Sequence, residues 1–223
     1  MEIPLPFPIL QFPFLALNAI VLNFEQKEFL DFSLISKRSR SVLKSLKLFR
    51  FGLRISFKDE IPWVSFPIPA IDSDERNLQL SIIWIDYICD IYCYKTIYGI
   101  FLDTCASEAK INQFVEWLNR RITRIDNCHI TGEETNGKVL ELFLDKLKIP
   151  IQAMSVRLKA NKEMKPLTRK ILEFDYFIAE GNSLSKPIKW ITLDHILSSK
   201  CRILSLDYTA LTETDLNTII RDG

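Results

Sequence analysis

Residues 96–130 read TIYGIFLDTCASEAKINQFVEWLNRRITRIDNCHI, and the fold class turns on how they are divided. Residues 96–102 are rich in β-branched and aromatic side chains and predict a strand. Ser107 stands where a side-chain oxygen caps a helix. Ile111, Phe114, Val115, Leu118 and Ile122 then recur at the three-and-four spacing of a buried stripe, with Lys110, Glu116, Asn119, Arg120 and Arg121 on the polar face. Residues 124–130 predict a second, short strand. Strand, helix and strand in succession imply a parallel sheet with helices laid against it.

The alternation continues toward the C-terminus. Residues 138–147 predict a helix through Val139, Leu140, Phe143, Leu144 and Leu147, and 152–158 a strand with Met154, Val156 and Leu158 on one face. Residues 166–172 read as helical and 174–179 as extended. Residues 191–198, 201–208 and 212–220 then predict helix, strand and helix, the last opened by a Thr212-x-x-Asp215 cap. Strand and helix recur at roughly 25 to 30 residues, near the period of leucine-rich units. The predicted fold class is mixed α/β: a curved, leucine-rich-repeat-like sheet backed by helices.

Upstream, residues 78–94 alternate. Ile83, Ile85, Tyr87, Cys89, Ile91 and Cys93 fall on one side of an extended chain, and Trp84, Asp86, Ile88, Asp90, Tyr92 and Tyr94 on the other, which predicts a strand paired with 96–102. On that reading Cys89 and Cys93 share a face about 13 Å apart, too far to hold one zinc ion between them. Before it, Leu53, Ile55 and Phe57 alternate with Arg54, Ser56 and Lys58 as a strand, after which Pro62, Pro67 and Pro69 exclude a helix. The low density of periodic pattern places a domain boundary between residues 50 and 75.

Residues 7–46 carry more apolar side chains than a unit of that size buries within itself, so some of them call for a partner. Residues 14–22 predict an apolar helix with Asn18 as its polar exception. Residues 25–35 predict a second, with Phe29, Leu30, Phe32 and Leu34 on its apolar side. A third, 36–49, carries Val42, Leu43, Leu46 and Phe49 against a basic face of Lys37, Arg38, Arg40, Lys44, Lys47 and Arg50. That face reads as a solvated helix surface, with nucleic-acid contact as the sharper alternative.

The 223 residues carry 29 Lys and Arg against 28 Asp and Glu, so no global field recruits nucleic acid or an anionic membrane. Five scattered cysteines do not form the framework of a small secreted domain, and no Asn-x-Ser/Thr sequon occurs, which together suggest free thiols and a cytoplasmic or nuclear location. Residues 3–24 are uncharged and long enough to span a bilayer, but Pro4, Pro6, Pro8 and Pro13 break any such helix, so no membrane span is expected. Six scattered glycines form no phosphate loop, and no Gly-x-Ser-x-Gly, Cys-x-x-Cys or His-Glu-x-x-His motif occurs. Asp72, Asp74 and Glu75 read as a surface turn, and His195 as a helix-end histidine without a base partner. No catalytic residue, metal site or cofactor is expected.

Phe12-Pro13 at the start of an aliphatic helix, followed by Phe29-Leu-Asp-Phe-Ser-Leu-Ile-Ser-Lys-Arg-Ser-Arg40, resembles the F-box. The doubled Phe7-Pro8 and Phe12-Pro13 and the Ser-Lys-Arg-Ser-Arg ending are similar to the expanded nematode F-box family in particular. Two positions depart from the general pattern: Leu15 and Ala16 stand where it carries an acidic residue, and Ser39 and Arg40 near its tryptophan. A second resemblance lies in the tail. Trp190-Ile-Thr-Leu-Asp-His195-Ile-Leu, then Cys201-Arg-Ile-Leu-Ser-Leu-Asp207, then Leu211-Thr-x-x-Asp215-Leu-Asn217 looks like the end of the type-two F-box-associated domain of those proteins, which commonly runs beyond the point where Gly223 stands here.

The resemblance implies an F-box over 7–49, a proline-containing linker and strand over 50–77, and an F-box-associated α/β domain over 78–223. It implies a substrate-recognition subunit of an SCF-type (cullin-RING) ubiquitin ligase, with no chemistry of its own. A Skp-type adaptor, and through it a cullin, would be bound by the box, and a protein substrate by the remainder. The expected adaptor-binding residues are Phe12, Pro13, Leu15, Ile20, Phe29, Leu30 and Leu34. Two alternatives stay open: a degenerate leucine-rich scaffold whose box no longer docks, and nucleic-acid binding through the basic third helix.

Overall fold

The structure, a computed structural model, describes residues 9–46, 52–58, 61–64, 76–132, 138–158, 166–167, 173–181 and 187–222. Strand β3 (Thr96–Asp103), helix α5 (Glu108–Arg121) and strand β4 (Arg124–Gly132) form the expected unit. In chain order α1 (Phe14–Val21), α2 (Gln26–Ile35), α3 (Lys37–Leu46), β1 (Arg54–Lys58), β2 (Ile61–Val64) and α4 (Arg76–Ile91) precede β3. After β4 come α6 (Lys138–Lys146), β5 (Ile151–Leu158), β6 (Tyr176–Glu180), α7 (Leu193–Leu197), β7 (Ile203–Asp207) and α8 (Glu213–Asp222).

Local chemistry sets several of these boundaries. The Lys110 amide donates to Ser107 Oγ at 3.4 Å, which satisfies one of the first N–H groups of α5. Asp215 and Thr212 cap each other at the start of α8, the Thr212 amide donating to Asp215 Oδ2 at 2.8 Å and the Asp215 amide to Thr212 Oγ1 at 3.2 Å. The Thr212 amide foremost, and then its hydroxyl, which donates to the same Oδ2 at 2.7 Å, hold the Asp215 carboxyl below the usual carboxylate range.

Six strands run parallel, side by side and in chain order, while β2 joins β1 antiparallel at the edge. Pro62 lies in β2, where an edge position tolerates a residue without an N–H, so the proline that excludes a helix sits within a strand. The parallel pairs are stacked without offset. Ile55, Ile100, Cys128, Met154, Phe177 and Leu204 form one ladder, and Leu102, Ile130, Val156, Ala179 and Leu206 another. Ile97, Ile125 and Ile151 form a third, which Phe174 and Cys201 extend just ahead of β6 and β7. Each of these strands therefore turns residues inward at a spacing of three and then of two. The break in alternation shows at Tyr98 and Gly99, whose amides share the Leu53 carbonyl at 2.9 and 3.3 Å.

Between parallel strands in chain order the right-handed rule for crossovers brings the connecting helices to one side of the sheet. Burial agrees. The ladder residues of β1 and of β3 to β6 are buried and Cys201, Leu204 and Leu206 at the β7 end partly so, whereas Tyr98, Phe101, Tyr176, Ile178 and Ile203 on the opposite face are exposed. One face of the sheet is core and the other is open.

The segment read as a strand over 78–94 is instead helix α4. Among its described side chains the buried ones are Leu78, Ser81, Ile82, Ile85, Ile88, Cys89 and Ile91, mostly at helical spacing, while Ile83 is 57% exposed. Alternation was present because the segment is apolar nearly all round, and such a run satisfies both periods. Its length of 16 residues belongs to a helix rather than to a strand. The helix closes with Cys93 in the left-handed region (φ 55°) and the Tyr94 amide donating to the Cys89 carbonyl at 2.9 Å. Cys89 and Cys93 thus share no strand face: one is buried in α4 and the other exposed beyond it. The predicted helix over 166–172 falls mostly outside the described residues, and 166–167 are irregular. The linker prolines Pro67 and Pro69, the Asp72, Asp74 and Glu75 turn, and Phe7-Pro8 also lie outside them.

Candidate docking surfaces

The N-terminal unit is three short helices whose ends are closed locally. Pro13 precedes α1 with φ −53° and ψ 145°, an extended geometry from which its carbonyl accepts the Leu17 amide at 3.0 Å. Glu25 and Glu28 cap α2 reciprocally, the Glu25 amide donating to Glu28 Oε2 at 2.8 Å. Ser36 and Ser39 do the same for α3, each amide donating to the other's hydroxyl at 3.0 Å.

Among the expected adaptor-binding residues, burial separates two groups. Phe29 and Leu30 are enclosed, with Phe29 against the rings of Phe24 and Tyr92 at 6.0 and 5.8 Å. Phe12 and Ile20 are half-buried. Pro13, Leu15 and Leu34 face solvent, Leu15 at 79% and Leu34 at 51% exposure. Phe14 and Ile35 join them as exposed apolar side chains that periodicity alone did not single out. Two apolar spots result, one on the first turn of α1 and one on the last turn of α2.

The unit is held to the body through α4. Lys44 on α3 pairs with Asp90 at 2.6 Å, and Arg121 on α5 meets Asp86 at 3.3 Å and Asp90 at 4.0 Å. Trp117 Nε1 donates to Asp86 at 3.3 Å, Ser33 Oγ lies 3.0 Å from Tyr87 Oη, and the Arg40 guanidinium stacks 4.6 Å above the Tyr87 ring. Arg40 and Lys44 are therefore engaged within the molecule, which leaves Lys37 and Arg38 as the exposed part of the described basic face; Lys47 and Arg50 lie outside it.

The second surface is the open face of the sheet. Phe101 on β3 stacks on His129 of β4 with centroids 4.8 Å apart, and Arg54 lies 4.9 Å over the ring of Tyr98. Burial holds the His129 imidazole below its ordinary value, so the neutral ring is favoured. Tyr176, Ile178 and Ile203 face solvent from β6 and β7, whereas β5 between them and β4 presents the small side chains of Ala153 and Ser155 and, beyond them, the exposed Arg157. Arg157 Nε donates to Glu180 at 2.6 Å near the strand ends. Periodicity located these strands, but the column of small residues on β5 emerges only from the register.

His195 is the third residue of the five-residue helix α7, near its ends as expected. The Thr192 amide donates to Nδ1 at 3.0 Å, so Nε2 carries the proton and donates to the Leu167 carbonyl at 3.1 Å. Both ring nitrogens are engaged in holding the backbone. Among the described residues no group of three or more His, Cys, Asp or Glu side chains could hold a metal ion, and no helix is long and apolar enough to cross a membrane. Neither a scan against protein-family models nor a comparison with curated proteins and with solved structures finds a match to this chain.

Proposed function

We propose that the chain is a substrate receptor of an SCF-type ubiquitin ligase, with α1 to α3 acting as an F-box that docks on a Skp-type adaptor. The observation that carries the reading is the exposure of Phe14, Leu15, Leu34 and Ile35 on a unit whose interior is already closed by Leu17, Val21, Phe29 and Phe32. Large apolar side chains left outside a completed core form the centre of protein interfaces. The order of the two sequence resemblances, F-box first and the type-two associated domain last, supports the same assignment. On this reading the six parallel strands and their helices are a curved, leucine-rich-repeat-like platform that presents a substrate, and ubiquitin transfer takes place elsewhere in the complex.

The test uses the full-length chain and a purified Skp-type adaptor. The double variant Leu15→Asp, Leu34→Asp replaces two exposed side chains and should leave the melting transition in place. Loss of one anchor costs about 2 kcal/mol, roughly a thirtyfold drop in affinity, and the pair should lose at least that. Wild-type chain that folds but captures no adaptor, or a double variant that binds as well as wild type, overturns the assignment. The former outcome favours a leucine-rich scaffold whose box no longer docks.

A further inference from the structure

The two edges of the sheet are built differently. At one, β2 carries Pro62, which takes an N–H out of the outermost strand and blunts it against further pairing. At the other, β7 reads Ile203-Leu-Ser-Leu-Asp207 and carries no proline. The Ile203 amide donates to the Asp175 carbonyl at 2.9 Å and the Gly181 amide to the Asp207 carbonyl at 3.0 Å, so Ile203, Ser205 and Asp207 turn their backbone groups to β6. The N–H and C=O groups of Leu204 and Leu206 therefore point outward, and among the described residues no strand pairs with them.

The helix layer extends further than the strand layer. Helices α7 and α8 pack side by side as α5 and α6 do, and the handedness that places each connecting helix ahead of its strand carries α8 past β7. Leu204 and Leu206 end the two ladders half-buried, whereas Phe177 and Ala179 beside them on β6 are enclosed. On α8, Leu216 and Ile220 stand one turn apart at 50% and 82% exposure. Ile188, which pairs with Thr209, lies against Gly181 at the end of β6, so it does not close the outer side of β7. Apolar side chains of strand and helix thus border a strip one strand wide along β7.

We infer that an extended segment of a partner protein adds to this edge as an eighth strand, exchanging backbone hydrogen bonds with Leu204 and Leu206 and setting two apolar side chains, at alternate positions, in line with theirs under α8. Alternating donors and acceptors along an extended edge are matched by another extended chain and by little else. A second copy of this chain is a poor fit, because pairing two β7 edges brings both α8 helices over the same two strand spacings, about 10 Å, which one helix fills. Arg202 and Asp207 bracket β7 with opposite charges, so no net field selects the segment, and recognition rests on backbone bonds and apolar burial. The edge stands at the opposite end of the sheet from β2, against which α4 packs, so the inference does not depend on adaptor docking by α1 to α3.

A phage-displayed library of random linear peptides, selected on the immobilised full chain, supplies the probe. Enriched sequences should carry two apolar residues at alternate positions with no proline between them. A synthetic peptide of that sequence should lose about tenfold in affinity when a backbone amide facing β7 is N-methylated, and should keep its affinity when the intervening amide is, a period of two that a side-chain pocket does not give. Leu206→Pro, which removes one outward N–H as Pro62 does in β2, should weaken binding about tenfold. Ile220→Asp on the exposed side of α8 gives a second readout in case the proline disturbs folding, and should weaken binding several-fold with the melting transition unchanged. Added salt should change binding little. No enrichment, N-methylation losses without alternation, or undiminished binding to both variants overturns the proposal. So does a dimer in sedimentation velocity that Leu206→Pro dissociates, since a second copy then occupies the edge. Adaptor capture measured on the same variants keeps the two readings separate: adaptor binding without edge peptides sinks this inference alone, and edge peptides without adaptor binding sink the ligase assignment alone.

Discussion

Cys89 on α4 and Cys128 on β4 are enclosed by the core, and loss of hydration pushes each thiol up to about 12, so neither supplies the reactive thiolate near neutral pH. Cys93 and Cys105 lie at the surface, and none of the five cysteines is in a disulfide. Iodoacetamide on the folded chain should therefore alkylate Cys93 and Cys105 and spare Cys89 and Cys128 until denaturant is added. Peptide mass spectrometry reads the pattern, and native labelling of Cys128 at the rate of Cys105 would contradict it. His129 gives a pH dependence of definite sign. Burial lowers its folded-state value below the ordinary 6.5, so between the two values the unfolded chain binds more protons. Its contribution to stability is complete above the ordinary value and is lost as pH falls through that value toward the lower one. Urea melts across that range should show a smaller slope with pH for His129→Phe than for wild type, since phenylalanine keeps the stack on Phe101 and removes the titration.

Among the elements, α4 separates what local sequence encodes from what packing selects. Strand and helix readings of residues 78–94 make opposite claims about Ile83 and Ile85: a strand puts both on one face, whereas in α4 Ile85 is fully buried and Ile83 is 57% exposed. Ile85→Ala should cost about 2 to 5 kcal/mol, the usual range for a buried isoleucine truncated in a core, and Ile83→Ala should stay within about 0.5 kcal/mol. Equal losses in chemical denaturation would favour a strand. The other elements were easier to read, for a physical reason. Ser107, Thr212 and Asp215 cap helices with groups three residues away, so the chemistry that opens the element lies in the same short window as the pattern that identifies it. The inward positions of β5, Met154, Val156 and Leu158, follow the strict alternation a strand requires, and all three are buried. What alternation could not convey is the three-residue step from Ile97 to Ile100, from Ile125 to Cys128 and from Ile151 to Met154. That step belongs to neither period, and it is what aligns the ladders across the sheet.

Across the whole molecule, a single continuous set of buried contacts runs from Leu17 on α1 through α4 to Ile191 near α7, so the N-terminal unit and the sheet share one core. Truncating its members should be felt as stability rather than as docking. Phe29→Ala is expected to cost about 3 to 5 kcal/mol and to lower the melting transition of the entire chain, while Leu15→Ala should leave that transition unchanged and weaken adaptor capture. Differential scanning calorimetry beside the capture assay checks the division, and a Leu15→Ala loss of stability equal to that of Phe29→Ala would refute it. The apolar richness of residues 7–46, the proline that opens α1, the helix caps and the recurrence of strand and helix were all determined by the sequence alone, because each depends on side chains close together along the chain. The identity of α4, the place of Pro62 in an edge strand, the register that sets Ala153 and Ser155 beside Tyr176 and His129, and the division of Phe29 and Leu30 from Leu15 and Leu34 were decided only by the tertiary structure. For Pro62 it is the strand order that leaves β2 at an edge; in the other cases the deciding neighbour is distant in sequence, and burial, not pattern, chooses between arrangements that the local residues permit equally.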